Sequence, residues 1–199
     1  MPDEQTLWRS MCQGDKAAFR QLHQAHVHHL LNYGLRLHGS LSVVEDCLQD
    51  LFVELWHYRA RLSQPTSVRF YLLKGLRNKI KAQYKREQLW QASLEDDAEE
   101  WFSQYSFSLE PSAEQRLVEL DLDAERREQV RQALEALTPR QREILYLRYF
   151  NDLSYEQICE VMSINYQAAR SQVYQALRVL RTVLKNQYLL ALLVSNFFL

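Results

Sequence analysis

Gln167, Arg170, Ser171 and Tyr174 lie in the stretch DLSYEQICEVMSINYQAARSQVYQALRVLRTVL, which runs from Asp152 to Leu184. If that region is helical, their spacing puts all four on one face. Such a row suits recognition rather than reaction: Arg can pair bidentately with guanine, and Gln with adenine. A second chemical group is electrostatic. From His57 to Arg86 there are nine Lys and Arg residues (59, 61, 69, 74, 77, 79, 81, 85, 86) and no acid. That run suits a partner with a strong negative field, and nucleic acid is the foremost candidate. Reactive chemistry finds no comparable support. No glycine-rich phosphate loop, Ser-His-Asp arrangement or GxSxG motif is present, so no enzyme activity and no cofactor are expected. His23, His26, His28 and His29 include pairs at helical spacing, but no cysteine or supporting acid stands near to complete a metal site.

These groups need elements to hold them. In 199 residues there are only four Gly and four Pro, and long stretches lack both, which favours helix throughout. Ile158, Val161 and Met162 form the inner face of a short helix. Ala169, Val173, Ala176, Leu177, Leu180 and Leu184 form that of a longer one. The pair reads as a helix-turn-helix, with its recognition row on the outside of the second helix. Its turn lacks glycine, so Ser163 or Asn165 must supply the left-handed residue. Cys159 takes the close-approach position as a small thiol. Arg178, Arg181 and Lys185 lie further along and suit phosphates, which set register rather than sequence. Three capping boxes precede helices: Ser112 with Gln115, Thr138 with Gln141, and Ser154 with Gln157. They predict helices over about 113–137, 139–150, 155–162 and 166–186.

The N-terminal half shows three apolar stripes at helical spacing. One runs Phe19, Leu22, His26, Leu30 and Tyr33. A second runs Val44, Cys47, Leu48, Leu51, Phe52, Leu55 and Trp56. The third runs Phe70, Leu72, Leu73, Leu76, Ile80 and Tyr84. Between the second and third, Ser63, Pro65 and Ser67 mark a loop. From Glu87 to Glu128 thirteen acids face three arginines, so an acidic block follows the basic one. Residues 91–112 lose periodicity and read as a flexible acidic linker with aromatic anchors at Trp101, Phe102, Tyr105 and Phe107. The expected fold is therefore all-α, with two helical domains: 1–90, the linker 91–112, 113–187, and an apolar tail 188–199. Cys12, Cys47 and Cys159 are far apart and form no CxxC pair, which fits a reducing cytoplasm. No signal peptide is evident, and the uncharged tail YLLALLVSNFFL falls short of the ~20 apolar residues a membrane span needs.

Two blocks carry a resemblance. LTPRQREILYLRYFNDLSYEQICEVMSINYQAARSQVYQALRVLR resembles the C-terminal, −35-reading domain of the extracytoplasmic-function sigma factors. DKAAFRQLHQAHVHHLLNYGLRLHGSLSVVEDCLQDLFVELWHYRARL, followed by VRFYLLKGLRNKIKAQYKR, resembles their N-terminal domain, which binds core RNA polymerase and opens the −10 element. The resemblance implies a cytoplasmic specificity subunit whose partners are core polymerase, promoter DNA and an anti-sigma factor, with no membrane insertion. It implies that Glu45, Asp46, Gln49 and Asp50 dock on polymerase. Arg61, Ser63, Tyr71, Lys74, Arg77, Asn78, Lys81 and Lys85 would contact the −10 strand, with the loop 62–68 holding a flipped base. Tyr58, Tyr71 and Tyr84 are candidate stacking surfaces, and Lys79 and Arg86 extend the phosphate track. Tyr166, Gln167, Arg170, Ser171, Tyr174 and Arg178 would face the −35 duplex. Three departures bear on promoter sequence rather than role: Tyr71 stands where many members have Trp, Gln83 where many have an acid, and Arg170 is the only basic residue in Ala168–Gln172. Two alternatives share the pattern: a helix-turn-helix regulator that binds duplex DNA without polymerase, and a helical protein–protein adaptor.

Overall fold

A computed structural model describes residues 3–91, 107 and 124–184, and all the regular structure among them is helical. The chain divides into two compact units, Met1–Ser106 and Phe107–Leu199. The first contains α1 (Glu4–Cys12), α2 (Lys16–Leu37), α3 (Leu41–Tyr58), a 3-10 turn (Arg59–Arg61) and α4 (Val68–Gln91). The second contains α5 (Ala124–Glu135), α6 (Pro139–Leu145) running into a π turn (Tyr146–Phe150), α7 (Tyr155–Met162) and α8 (Tyr166–Val183). The third capping box, Ser112 with Gln115, and the linker anchors Trp101, Phe102 and Tyr105 lie outside the described residues.

In the first unit α2, α3 and α4 pack on one another around the three predicted stripes. Leu22, His26, Leu30 and Tyr33 of α2 are buried, as are Val44, Cys47, Leu48, Leu51, Phe52 and Leu55 of α3. Each large apolar side chain so buried contributes about 1.5–3 kcal/mol. α1 is a helix the stripes did not announce. Its Trp8 and Met11 are fully buried, and Gly14, at φ 95°, turns the chain into α2. Asp15 then caps α2, its carboxylate accepting from the amides of Ala17 and Ala18.

Two glycines set how closely the helices approach. A Cβ on Gly34 would fall inside the contact distance of Val44 Cγ1, and one on Gly75 would stand 2.7 Å from Leu51 Cδ1. Val44 is buried and β-branched, so it has no spare rotamer. Leu51 meets Gly75 with the free end of a longer side chain and can give way. Gly34→Ala is therefore expected to destabilise the protein by about 1–2 kcal/mol, overpacking outweighing the ~1 kcal/mol gain in helix propensity. Gly75→Ala should fall near neutral, and denaturant unfolding of both variants checks the contrast.

His26 adds a pH dependence. It is 3% exposed, and its Nε2 lies 3.3 Å from Glu4 Oε1 without hydrogen-bonding alignment. Burial lowers its pKa below 6.5, and Arg69 and His29 push the same way against the pull of Glu4. The unfolded chain therefore takes up this proton first, and stability is lost as pH falls below the ordinary histidine value. Thermal midpoints should drop between about pH 7 and 5. The decline should be shallower in His26→Leu but still present, because burial lowers His23 as well.

Candidate nucleic-acid interface

The helix-turn-helix forms as the pattern predicts. Ser154 caps α7 and Thr138 caps α6, each accepting from the Gln amide three residues on while that Gln side chain accepts from the cap amide. Ser163 takes the left-handed conformation, at φ 55° and ψ 49°. Asn165 is thereby left to cap α8, its side chain accepting from Ala168 N. Ile158, Val161, Met162, Ala169, Val173, Ala176, Leu180 and Leu184 are buried. Leu177 alone of the expected inner face is half-buried.

On the outer side Gln167, Arg170, Ser171, Tyr174 and Arg178 are all exposed, Tyr174 by 66%. Tyr166, 44% exposed, leans edge-on against Tyr155 of α7 with ring centres 5.7 Å apart. Tyr155 in turn lies under the Arg148 guanidinium at 5.4 Å, and Arg148 donates to Leu153 O. One face of α8 thus offers a polar, solvent-facing row on a helix whose opposite side is locked.

Behind it, the π turn at the end of α6 replaces the uninterrupted helix expected to residue 150. Asn151 N reaches back five residues to Tyr146 O, and Leu153 N to Leu147 O. The extra residue in this turn swings the chain through Asp152, at φ 51°, into the Ser154 cap. Arg142 donates to Leu134 O, Leu137 O and Glu135 O at the C-terminus of α5, and also to Phe107 O. Phe107 itself is fully buried and packs on Tyr146 at 5.6 Å.

In the first unit the basic run maps onto the 3-10 turn, the 62–67 loop and α4. Arg61, Ser63, Asn78 and Lys85 are exposed, and Tyr71, Lys74 and Lys81 are half-buried. Lys81 carries a lowered pKa, first from partial burial and then from Arg77 and Lys85. Lys74 Nζ lies 5.7 Å from the centre of the Phe70 ring.

Arg77 requires a correction. It is 1% exposed, so it does not face the −10 strand as expected. Positions 73, 77, 80 and 84 share one side of a helix, and Leu73 and Ile80 on that side are core residues. Lys79 is also diverted from the phosphate track, since its Nζ lies 2.7 Å from Glu54 Oε1. Of the three tyrosines, Tyr84 is committed to the fold: its hydroxyl donates to Leu37 O and its ring packs on His38. Tyr58 is 48% exposed, while Tyr71 packs edge-on against Trp8 at 5.1 Å.

The 62–67 loop is held by α1. Trp8 Nε1 donates to Ser63 O (3.2 Å), and Gln5 Nε2 donates to Pro65 O (3.0 Å) and Thr66 O (3.3 Å). Gln64 Nε2 donates back to Gln5 Oε1 at 2.8 Å. Reasoning from the sequence overlooked Gln5 and Trp8. The signal available was Trp8 and Met11 at helical spacing after Asp3, at an N-terminus that reads as merely polar and acidic.

Glu45, Asp46, Gln49 and Asp50 are exposed together on α3. Asp46, Gln49 and Asp50 border a hollow of about 320 Å³ whose far wall is Gln83 and Arg86 of α4. On the other side of the ridge, Glu45 and Gln49 edge an apolar groove of about 670 Å³ between α2 and α3, floored by Phe19, Val27, Leu48 and Phe52. No group of three metal-ligating side chains comes together among the described residues. No helix among them is long and apolar enough to cross a membrane.

Comparison with known proteins adds independent findings. The Sigma-70 region 2 profile matches residues 22–89, and the Sigma-70, region 4 profile matches residues 127–180. Together they take in more than half of the chain. A curated relative, the ECF RNA polymerase sigma factor SigK of Mycolicibacterium vanbaalenii, is 28% identical over 183 residues, covering 89% of this chain and 87% of that protein. Two solved structures share the fold at 19% identity. One is CnrH in complex with the cytosolic domain of CnrY, at TM-score 0.55 over 92% of this chain and 97% of that one. The other is the sigma factor RpoE in complex with the anti-sigma factor NepR from Bartonella quintana, at TM-score 0.54 over 84% of this chain and 96% of that one.

The revised place of Arg77 has a measurable consequence. Arg77→Ala removes a buried side chain and should cost about 2–4 kcal/mol of stability. Asn78→Ala and Lys85→Ala, both exposed, should leave the unfolding midpoint unchanged within error. Chemical denaturation of the three variants separates a core role from a surface one.

Proposed function

The chain belongs to the sigma-70 family, in its extracytoplasmic-function form, and from that premise we propose how its two units direct RNA polymerase to promoters. The single observation that carries the reading is the pairing of two surfaces on one chain: a basic run without an acid from His57 to Arg86, through the 62–67 loop and most of α4, and an exposed Gln-Arg-Ser-Tyr row on α8. In this reading the α3 ridge of Glu45, Asp46, Gln49 and Asp50 docks on core polymerase. Arg61, Ser63, Tyr71, Lys74, Asn78, Lys81 and Lys85 then receive the non-template strand of the −10 element. A base removed from the stack loses a few kcal/mol, which contacts in the loop and along α4 must return. Lys74, Lys81 and Lys85 supply phosphate contacts, whose strength falls with salt.

In the second unit Gln167 and Arg170 reach base edges of the −35 duplex. Tyr166, Ser171 and Tyr174 flank them, and Arg178 touches phosphate. The chain supplies recognition and strand capture, while the chemistry of RNA synthesis belongs to the polymerase and no cofactor is used. Its site of action is the cytoplasm, where polymerase works. The expected division is 1–90 for polymerase docking and −10 capture, 91–112 as linker, 113–187 for −35 reading and 188–199 as tail. The two solved relatives were captured with protein partners, one of them named an anti-sigma factor. The groove between α2 and α3, beside the docking ridge, is the surface on which we place such a partner here. A partner seated there would cover Glu45 and Gln49 and compete with polymerase.

Mixing the purified chain with core polymerase and a promoter library tests the reading directly. Run-off transcripts should appear only when both are present. Arg170→Ala and Gln167→Ala should each lower initiation about tenfold or more without loss of core binding, since a bidentate base contact is worth about 1–3 kcal/mol. Failure to co-migrate with core polymerase, with no promoter-specific transcript, would exclude the function.

A further inference from the structure

We infer that α1 is a positioning element for strand capture, and that Gln5 and Trp8 hold the 62–67 loop in its receiving shape. The inference rests on the proposed role of that loop. The loop contains Pro65 and no regular structure, and the carbonyls at its centre are bonded from outside the loop. Those contacts come from a helix about sixty residues earlier in the chain, and they fall on the backbone. Trp8 takes the carbonyl of Ser63, and Gln5 takes those of Pro65 and Thr66.

Gln64 closes the arrangement by donating to the acceptor oxygen of Gln5, so both ends of the Gln5 amide are engaged. Trp8 is 1% exposed and also braces Tyr71 edge-on, which links the loop to the first turn of α4. Because three carbonyls are drawn toward α1, the side chains of Ser63 and Thr66 are left at the surface, and both are exposed. A loop fixed through its backbone keeps its side chains free for a ligand. An unfixed loop would have to be ordered at the moment of binding, at a cost in conformational entropy. Neither Gln5 nor Trp8 needs to touch DNA for this, and Trp8 has almost no surface with which to do so.

The test uses holoenzyme assembled from the full chain and core polymerase. Wild-type holoenzyme first selects a strand from a randomised 20-nucleotide single-stranded DNA pool, and that strand becomes the probe. Three variants are compared: Gln5→Ala, which alters a half-exposed side chain; Trp8→Phe, which keeps an aromatic ring but removes the N–H; and a graft of Gly and Ser over residues 63–67. Gln5→Ala and Trp8→Phe should each weaken probe binding about three- to tenfold, with core affinity and duplex −35 binding unchanged. If the graft loses the probe while both α1 variants bind like wild type, the positioning role is wrong and strand capture by the loop stands. If the graft binds like wild type, or wild type selects no strand, the capture role itself fails and the inference with it. A purely structural role for α1 would lower the thermal midpoint and core affinity together with probe binding, and that pattern also overturns the proposal.

Discussion

A helix can present side chains to a base edge only if its other side is anchored and its start is aimed, and here both conditions meet at Ser163. A left-handed residue is the sharpest way to reverse one helix into another, and for a residue other than glycine it costs roughly 1–2 kcal/mol. The cost is offset around it. Ile164 N bonds back to Cys159 O, Asn165 caps α8, and Ala169 sits fully buried where α8 meets α7. Moving the left-handed residue by two positions would turn α8 by about half a turn and put Val173 in water. The polar row is outside because the turn is where it is.

The first unit obeys a different constraint. Nine cations in thirty residues cannot all lie on one surface without strong mutual repulsion, and the structure distributes them. Arg77 goes inward, Lys79 is neutralised by Glu54, Arg59 rests on the Trp56 ring at 4.3 Å, and Arg86 stands across from the α3 acids. Arg69, Lys74, Lys81 and Lys85 are the other cations of α4, and the pKa of Lys81 is lowered first by partial burial and then by Arg77 and Lys85. The formal charge of the run overstates the number of cations available to a phosphate backbone. Its lack of acids still leaves the residual field positive.

Much of this is legible in the sequence. Both capping boxes within the described residues are present, and most of each predicted stripe is buried, with Phe19, Trp56, Phe70, Tyr84 and Leu177 half-buried at the margins, because period and hydrogen-bonding groups are local properties of the chain. Ser163 is one of two candidates for the turn; Asn165 directly precedes Tyr166, the first residue of α8, and serves as its cap, which leaves the left-handed position to Ser163. The burial of Arg77 contradicts its expected role although its own spacing from Leu73 and Ile80 points inward; residue type argues one way there and periodicity the other. α1 is hard to foresee because its contacts are almost entirely non-local. Trp8 and Gln5 gain meaning only when the 62–67 loop is beside them. The π turn is illegible for a related reason, since a single extra residue in a helix leaves no mark on its composition.

The fork of Arg142 gathers four carbonyls from three places: the last turn of α5, the bend after it at Leu137, and Phe107 far upstream. A guanidinium stays charged at any accessible pH, so this clasp neither weakens in acid nor depends on redox state or metal. Phe107 is thereby fastened to the α5–α6 corner, with its ring packed against Tyr146.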